Sequence, residues 1–336
     1  MTDRISFDTI RKYFKTGCLK RSDGLLRFVD FRIPYTKNSA KIFQLYQEKT
    51  ESIQSTRMDI QTTSYEFSNS FALEMKFFLE KNLSDKILGA YTHGSLGTDE
   101  LIPYSDFDGL VILNHEAFKS ARDISDTAIV LRKSESIMRK MDPLQHHGWF
   151  IITEKELENY PSDYFPPKLF SHVKCLTGKN NFSIRFRAHS EEEQKKHFSA
   201  FCKHLCRNIQ NHHAGSNYYD TKSLLSGFML LPAIYLQIKH PEGVFKKESF
   251  DLLRKELTAA EYQVMDDVSG IRSEWNYIPT KRYKNLLLSD NAFMYHYFHK
   301  KWSGNIPAWL ATKLNQLKPE MLRFVKTLTA KTENEV

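Results

Sequence analysis

The stretch Tyr91–Leu113, YTHGSLGTDELIPYSDFDGLVIL, decides how this 336-residue chain is read. Its end, Phe107 to Leu113 (FDGLVIL), is apolar on both faces once Asp108 is set aside, which predicts an interior strand in a covered sheet. Ile87 to Tyr91 predicts a second short strand upstream, and Gly94, Gly97 and Pro103 make the intervening segment a turn region. Asp106 and Asp108 stand two residues apart. On a strand such residues point to the same side, so both carboxylates project from one face. Two carboxylates held that close repel unless a proton or a cation separates them. Hard oxygen ligands on a rigid strand suit Mg²⁺, which is commonly held by one or two carboxylates together with substrate phosphates. Gly94-Ser95 follows the upstream strand at a bend. Glycine there lets the backbone approach a ligand closely, N–H groups opening a helix face an anion, and Ser95 adds a hydroxyl donor.

Working outward, residues 1 to about 60 read as short helices and turns, with breakers at Gly24 and Pro34. Phe67, Phe71, Met75 and Phe78 step at helical spacing, and residues 116–140 predict a further helix with Ile124, Ala128 and Leu131 on one side. Gly148 to Thr153 (GWFIIT) predicts another strand. From about 190 the pattern turns helical: Phe198, Cys202, Leu205 and Ile209 form a stripe, and helices are expected around 222–239, 246–258 and 306–328, with Pro232 kinking or splitting the first of these. Pro166-Pro167 and the turn Gly178-Lys179-Asn180-Asn181 precede the change of character, and the C-terminal KTLTAKTENEV is expected to fray. The expected organisation is a helical N-terminal extension over 1–60, an α/β catalytic unit over 61–185 and an all-helical unit over 186–330. Its fold class is α+β, a small mixed β-sheet packed with helices and followed by a helical domain.

Composition narrows the function classes. Apolar residues make up 41% of the chain and charged residues 26%, ordinary values that exclude wholesale disorder and fibrous architectures. No apolar run nears the 18 or so residues of a membrane helix; the longest, Gly227 to Leu236, is short and contains Pro232. The N-terminal MTDRISFDTIRKYFK has no apolar core, so no secretory signal is expected. With only 4 cysteines, the expected location is the reducing cytoplasm. Lys and Arg number 48 against 40 Asp and Glu, a net +8 that favours polyanionic ligands such as nucleotides or RNA.

The combination of Gly94-Ser95, ten intervening residues, then Asp106-Phe107-Asp108 running into an apolar strand resembles the signature of the polymerase-β-type nucleotidyltransferase superfamily. The surrounding helix–strand–turn–strand pattern extends the likeness over about 65–153. The resemblance implies transfer of a nucleoside monophosphate from an NTP, ATP among them, to an acceptor hydroxyl with release of pyrophosphate. It implies that Asp106 and Asp108 ligate Mg²⁺ (or Mn²⁺), while Gly94 and Ser95 hold the β- and γ-phosphates. Phosphoryl transfer of this kind needs mainly positioning and charge neutralisation. Thr221-Lys222-Ser223 opens a helix and is similar to the helical-domain lysine of these transferases, which makes Lys222 a nucleotide-binding candidate. Active members usually carry a third carboxylate on a later strand. Here the corresponding stretch, His146 to Thr153, has none; Asp142 and Glu154 flank it, and His147 or His146 is the alternative base or ligand. Small-molecule or nucleotide acceptors fit best, and RNA or protein acceptors are also compatible. A non-catalytic nucleotide-binding module is the alternative.

Two other constellations compete. Arg207-Asn208-Ile209-Gln210-Asn211-His212 is similar to the R-N-x-x-x-H ribonuclease motif of HEPN helical domains, which implies that Arg207 and His212 act on an RNA phosphate and its 2′-hydroxyl. Cys202, Cys206 and His213 recur along one helical face with His197 nearby, a spacing that zinc could share. Finally, Tyr277, Lys281, Arg282, Tyr283 and Lys284 interleave aromatic and basic residues as RNA-stacking surfaces do.

Overall fold

The structure, a computed structural model, describes residues 2–16, 34–47, 55–66, 68–288 and 292–334. Gly24 and Phe67 lie outside the described residues. The fold is α+β. Two helices, α1 (Thr2–Thr16) and α2 (Pro34–Gln47), lead into the strands β1 (Thr56–Gln61) and β2 (Thr63–Ser64). Then follow α3 (Ser70–Leu83), β3 (Ile87–Thr92), the single turn α4 (Gly94–Gly97), β4 (Gly109–Leu113), α5 (Ala121–Met141), β5 (Phe150–Thr153), β6 (Lys174–Gly178) and β7 (Asn181–Phe186). The rest is helical: α6 (Glu191–Asn211), α7 (Tyr218–Phe228), α8 (Leu231–Leu236), α9 (Lys246–Arg254), α10 (Ala259–Ser273), α11 (Lys281–Leu287), α12 (Ala292–Trp302) and α13 (Ala308–Asn334).

Five strands form one mixed sheet in the order β2-β6-β3-β4-β5, while β1 and β7 pair antiparallel as a separate ribbon. β4 is an interior strand, antiparallel to β3 and parallel to β5. All of Gly109–Leu113 is buried. Val111 and Leu113 point into a core shared with α1, α2, α3 and α5, while Leu110 and Ile112 point into a second core closed by β1, β7 and the segments Glu154–Asn159 and Pro167–His172. Fully burying each large apolar side chain of β4 contributes about 2 kcal/mol, so two-sided burial fixes this strand's place. The direction of the strands then sets the site. β3 ends, and β4 and β5 begin, at the same edge of the sheet, because Thr92 pairs with Gly109 and Leu110 with Phe150. His93–Ser95, Asp106–Asp108 and His146–His147 are therefore brought together just beyond that edge. Gly109 itself has to be small: a Cβ there would stand 2.6 Å from the ring of Trp149.

Several sequence expectations change. The strand assignment begins at Gly109, so Asp106 and Asp108 lie on the extended segment feeding β4, not within it. The buried face of α3 is Ala72, Met75, Leu79 and Leu83, whereas Phe71 and Phe78 are only partly buried at its margin. Residues 56–61, read as helix and turn, form a strand paired with β7. Pro232 does split its helix, with α7 ending at Phe228 and α8 starting at Leu231. Of the C-terminal stretch expected to fray, the described part is helical: α13 continues to Asn334, with Phe324, Val325 and Leu328 buried in the helical core, and Glu335 and Val336 lie outside the described residues.

That third core unites α6 to α13, and Tyr104 and Leu144 from the first half of the chain are buried in it. The two halves thus interlock beside the edge of the sheet that carries the acidic pair. Among the described residues no helix is long and apolar enough to cross a membrane.

Candidate active site

The acidic pair is built from the backbone outward. Phe107 is buried between the two aspartates, and its N–H donates to Gln145 Oε1 at 2.9 Å while its carbonyl accepts from Gln145 Nε2 at 2.9 Å. This two-point bond holds residues 106–108 extended, so both half-buried carboxylates turn to the same side. The carbonyl of Asp108 accepts from the His93 N–H and the Thr92 hydroxyl, each at 3.1 Å, which locks the segment to the end of β3. Gly94 opens α4 with φ +60°, and a Cβ added there would fall 2.1 Å from Asp108 Oδ2. The bend and the acidic pair are therefore in contact. Ser95 is half-buried beside it.

On the other side stand the histidines that precede β5. His147 Nε2 lies 3.1 Å from Asp106 Oδ2 and 3.1 Å from Asp108 Oδ1, bridging the two carboxylates. His146 Nδ1 is 3.6 Å from Asp106 Oδ2 and makes no hydrogen bond. Ligand atoms of Asp106, His146 and His147 all lie within 4.8 Å of one another, the one group of three or more such donors among the described residues. Electrostatics follow from this contact. Burial pushes the Asp106 carboxyl up, but the hydrogen bond and charge of His147, with Lys222 and His146 behind it, hold it well below the usual carboxylate range. Burial works against protonated His147 as well, and its hydrogen bonds to Asp106 and Asp108 more than reverse that, raising its pKa well above the ordinary value. Burial and the neighbouring His147 charge push His146 down to about 4. His93, buried with no partner for Nε2, is lowered chiefly by burial.

Neither flanking carboxylate joins the pair. Asp142 is buried and accepts from Lys222 Nζ at 2.7 Å; burial raises it to about 6 against the pull of that lysine. Glu154 lies at the far end of β5, where it accepts from the His115 N–H at 2.9 Å. Among the described residues of His146–Thr153 the two imidazoles are the groups that face the acidic pair. Lys222, the nucleotide-binding candidate, is 0% exposed and committed to Asp142, with its ammonium 4.8 Å from the centre of the Tyr104 ring, so it is not open to a nucleotide.

Further groups around the site carry no local signal in the sequence. Tyr104, whose hydroxyl donates to the Lys222 carbonyl at 2.6 Å, carries the Arg272 guanidinium over its ring at 4.6 Å. Arg272 Nε is buried without a hydrogen-bond partner. Lys246, at the start of α9, forms no ion pair among the described residues. Burial first, and then the Arg272 charge, lower it to about 8 although Asp106 and Asp108 pull the other way. Lys246, on α9, thus stands within electrostatic reach of the acidic pair, and Arg272, on α10, within reach of Lys246. Three tyrosines fix the loop that bears the histidines: Tyr283 donates to the Pro143 carbonyl at 2.9 Å, Tyr295 to that of Gln145 at 3.1 Å, and Tyr219 to that of His146 at 3.4 Å.

The competing constellations are not assembled. Arg207 is exposed, its Nε donating to the Lys203 carbonyl at 3.3 Å, while His212 is buried with Nε2 2.9 Å from the Thr221 hydroxyl. Cys202 is buried in the helical core, and His213 Nδ1 accepts from the Gly215 N–H at 3.0 Å, so no four-ligand zinc cluster forms there. Tyr283 is fully buried, Tyr277 is partly buried and Arg282 lies 3.9 Å from the Trp302 ring, so the exposed lysines of 277–284 are not interleaved with free aromatic faces.

No family model matches this chain, and no curated protein matches it. Among solved structures the chain is similar to the crystal structure of spectinomycin adenyltransferase AAD(9) from Enterococcus faecialis with ATP and spectinomycin, at 15% identity and a TM-score of 0.32, over 79% of this chain and 100% of that one.

Proposed function

We propose that this chain is a metal-dependent nucleotidyltransferase that moves a nucleoside monophosphate from an NTP onto an acceptor hydroxyl and releases pyrophosphate. The observation that carries the reading is the contact between Gly94 and Asp108, which puts the glycine–serine bend and a pair of carboxylates side by side. The donor set fits a divalent ion: Asp106, His146 and His147 converge within coordinating reach, and Asp108 meets His147 at 3.1 Å. Asp106 and Asp108 hold that ion, which supplies charge neutralisation at the transferring phosphoryl group. The Gly94 backbone and the Ser95 hydroxyl hold the terminal phosphates, and Lys246 and Arg272 neutralise them from the helical half. Lys222 acts indirectly, keeping Asp142 ionised and the 142–147 loop in place. The acceptor is a small molecule or a nucleotide, bound where the two halves meet.

The test is pyrophosphate release from each of the four NTPs with Mg²⁺ or Mn²⁺ and a mixed pool of hydroxyl acceptors. Turnover is expected, with loss in Asp106→Asn and Asp108→Asn. A charged hydrogen bond to phosphate contributes about 1.5–3 kcal/mol, so Arg272→Gln and Lys246→Gln should each raise the KM for NTP about 10- to 100-fold. Turnover that survives both aspartate substitutions places the chemistry elsewhere.

A further inference from the structure

We infer that the ion site is built for a first-row transition ion that accepts nitrogen ligands, with the imidazoles of His146 and His147 completing Asp106 and Asp108, and not for Mg²⁺. The inference rests on the transferase reading for the site's purpose, but its argument is one of coordination chemistry. The oxygen donors run out at two side chains. Asp142 is consumed by Lys222, and Glu154 is held at the opposite end of β5. What stands beside the carboxylates is nitrogen. His147 Nε2 is 3.1 Å from an oxygen of each aspartate, so an ion displacing that contact meets all three groups at once. His146 Nδ1 faces Asp106 Oδ2 at 3.6 Å, is buried, and has no hydrogen bond to give up.

These donors are also rigidly held, as a selective site requires. Gln145 grips the Phe107 backbone on one side and donates to the His147 carbonyl at 2.8 Å on the other, so one side chain sets the spacing of aspartates and imidazole. Tyr219, Tyr283 and Tyr295 pin the remaining carbonyls of the loop. Mg²⁺ demands near-octahedral oxygen coordination and sheds water reluctantly. Imidazole ligands favour the later ions of the row, affinity rising from Mn²⁺ through Co²⁺ for a given nitrogen-containing site. A site with two oxygen and two nitrogen donors from the chain leaves positions open for phosphate oxygens in a six-coordinate ion.

The test uses the full chain without nucleotide. Co²⁺ is titrated by visible absorption and Mg²⁺ by calorimetry, for the wild type, His146→Ala, His147→Ala and His147→Asp. Co²⁺ should bind the wild type at least about tenfold more tightly than Mg²⁺. Each alanine variant should lose about tenfold or more of Co²⁺ affinity with a changed ligand-field spectrum, while Mg²⁺ affinity stays within about twofold. His147→Asp should shift the preference toward Mg²⁺. Wild-type Mg²⁺ affinity equal to that for Co²⁺, which needs no variant to measure, overturns the inference; so does a Co²⁺ spectrum indifferent to both histidines. Full Mg²⁺-supported pyrophosphate release by His147→Ala would sink it while leaving the transferase standing. Histidine-dependent Co²⁺ binding without pyrophosphate release under any ion would support it and reject the transferase.

Discussion

Replacing Gly94 by alanine tests the contact on which the site is built. The new Cβ would lie 2.1 Å from Asp108 Oδ2 and 3.0 Å from its Cγ. Ordinary contact begins near 3.4 Å, so the carboxylate has to retreat by about 1.3 Å, the difference between 3.4 and 2.1. The backbone of Asp108 cannot follow, because its carbonyl is held by both His93 and Thr92. The side chain must instead rotate away, breaking its 3.1 Å contact with His147 and moving one of the two oxygens offered to the ion. At φ +60° an alanine also carries a left-handed backbone cost of about 1–2 kcal/mol. A misplacement of about 1 Å at a reacting centre costs on the order of 100-fold. Gly94→Ala should therefore lower kcat/KM for NTP by about 100-fold or more, with a stability loss of only about 1–2 kcal/mol by urea unfolding. Gly270→Ala is the control, since nothing lies within 4 Å of a Cβ there. A Gly94→Ala enzyme within threefold of wild type would show that the bend and the acidic pair do not act together.

Lys222→Met strands the Asp142 carboxylate in a buried site and should destabilise the fold by about 3–5 kcal/mol in denaturant titration. The double substitution Lys222→Met/Asp142→Leu should recover most of that loss, and an unrecovered loss would mean that packing, not charge, explains the pair. His212, lowered to about 4 chiefly by burial and then by Lys318, is neutral in the fold and titrates near 6.5 when unfolded. The unfolded chain thus binds more protons between those values, so its contribution is intact above pH 6.5 and fades toward pH 4, by about 3 kcal/mol at most. His212→Asn should flatten that part of the stability–pH curve, and an unchanged slope would assign it to other groups.

What was legible in the sequence was what neighbours in the chain decide. Two-sided apolar character fixed β4, turn residues marked the Gly94 bend, and the helical stripe Phe198, Cys202, Leu205, Ile209 is buried as its spacing required. β1 gave no such signal because most of TRMDIQ faces solvent and only Ile60 is buried, so alternation is absent where the ribbon forms. The acidic pair could be read; the groups that set its geometry could not. Gln145 reaches Phe107 across 38 residues, and Lys246 comes within electrostatic reach of the pair from a helix more than a hundred residues downstream. No local pattern distinguishes a glutamine that braces a backbone from one in solvent. Likewise the position of Lys222 at the start of a helix is visible in the sequence, whereas its burial against a distant Asp142 is not.

The ion pair also bears on why imidazoles stand where a third carboxylate would. Asp142 begins the loop that ends at His147, and its charge raises the cost of ionising Asp106. Lys222 cancels that charge at 2.7 Å and also lowers Asp106 directly. Asp106 and Asp108 then have His147 as their nearest partner, which an ion would displace, and Lys246, without an ion pair among the described residues, remains for phosphate. A third free carboxylate beside Asp106 would oppose the polyphosphate that Lys246 attracts, whereas a neutral imidazole adds a ligand without adding charge. Because Lys222 and the three loop-pinning tyrosines all come from the helical half, that half sets both the charge and the geometry around Asp106, His146 and His147.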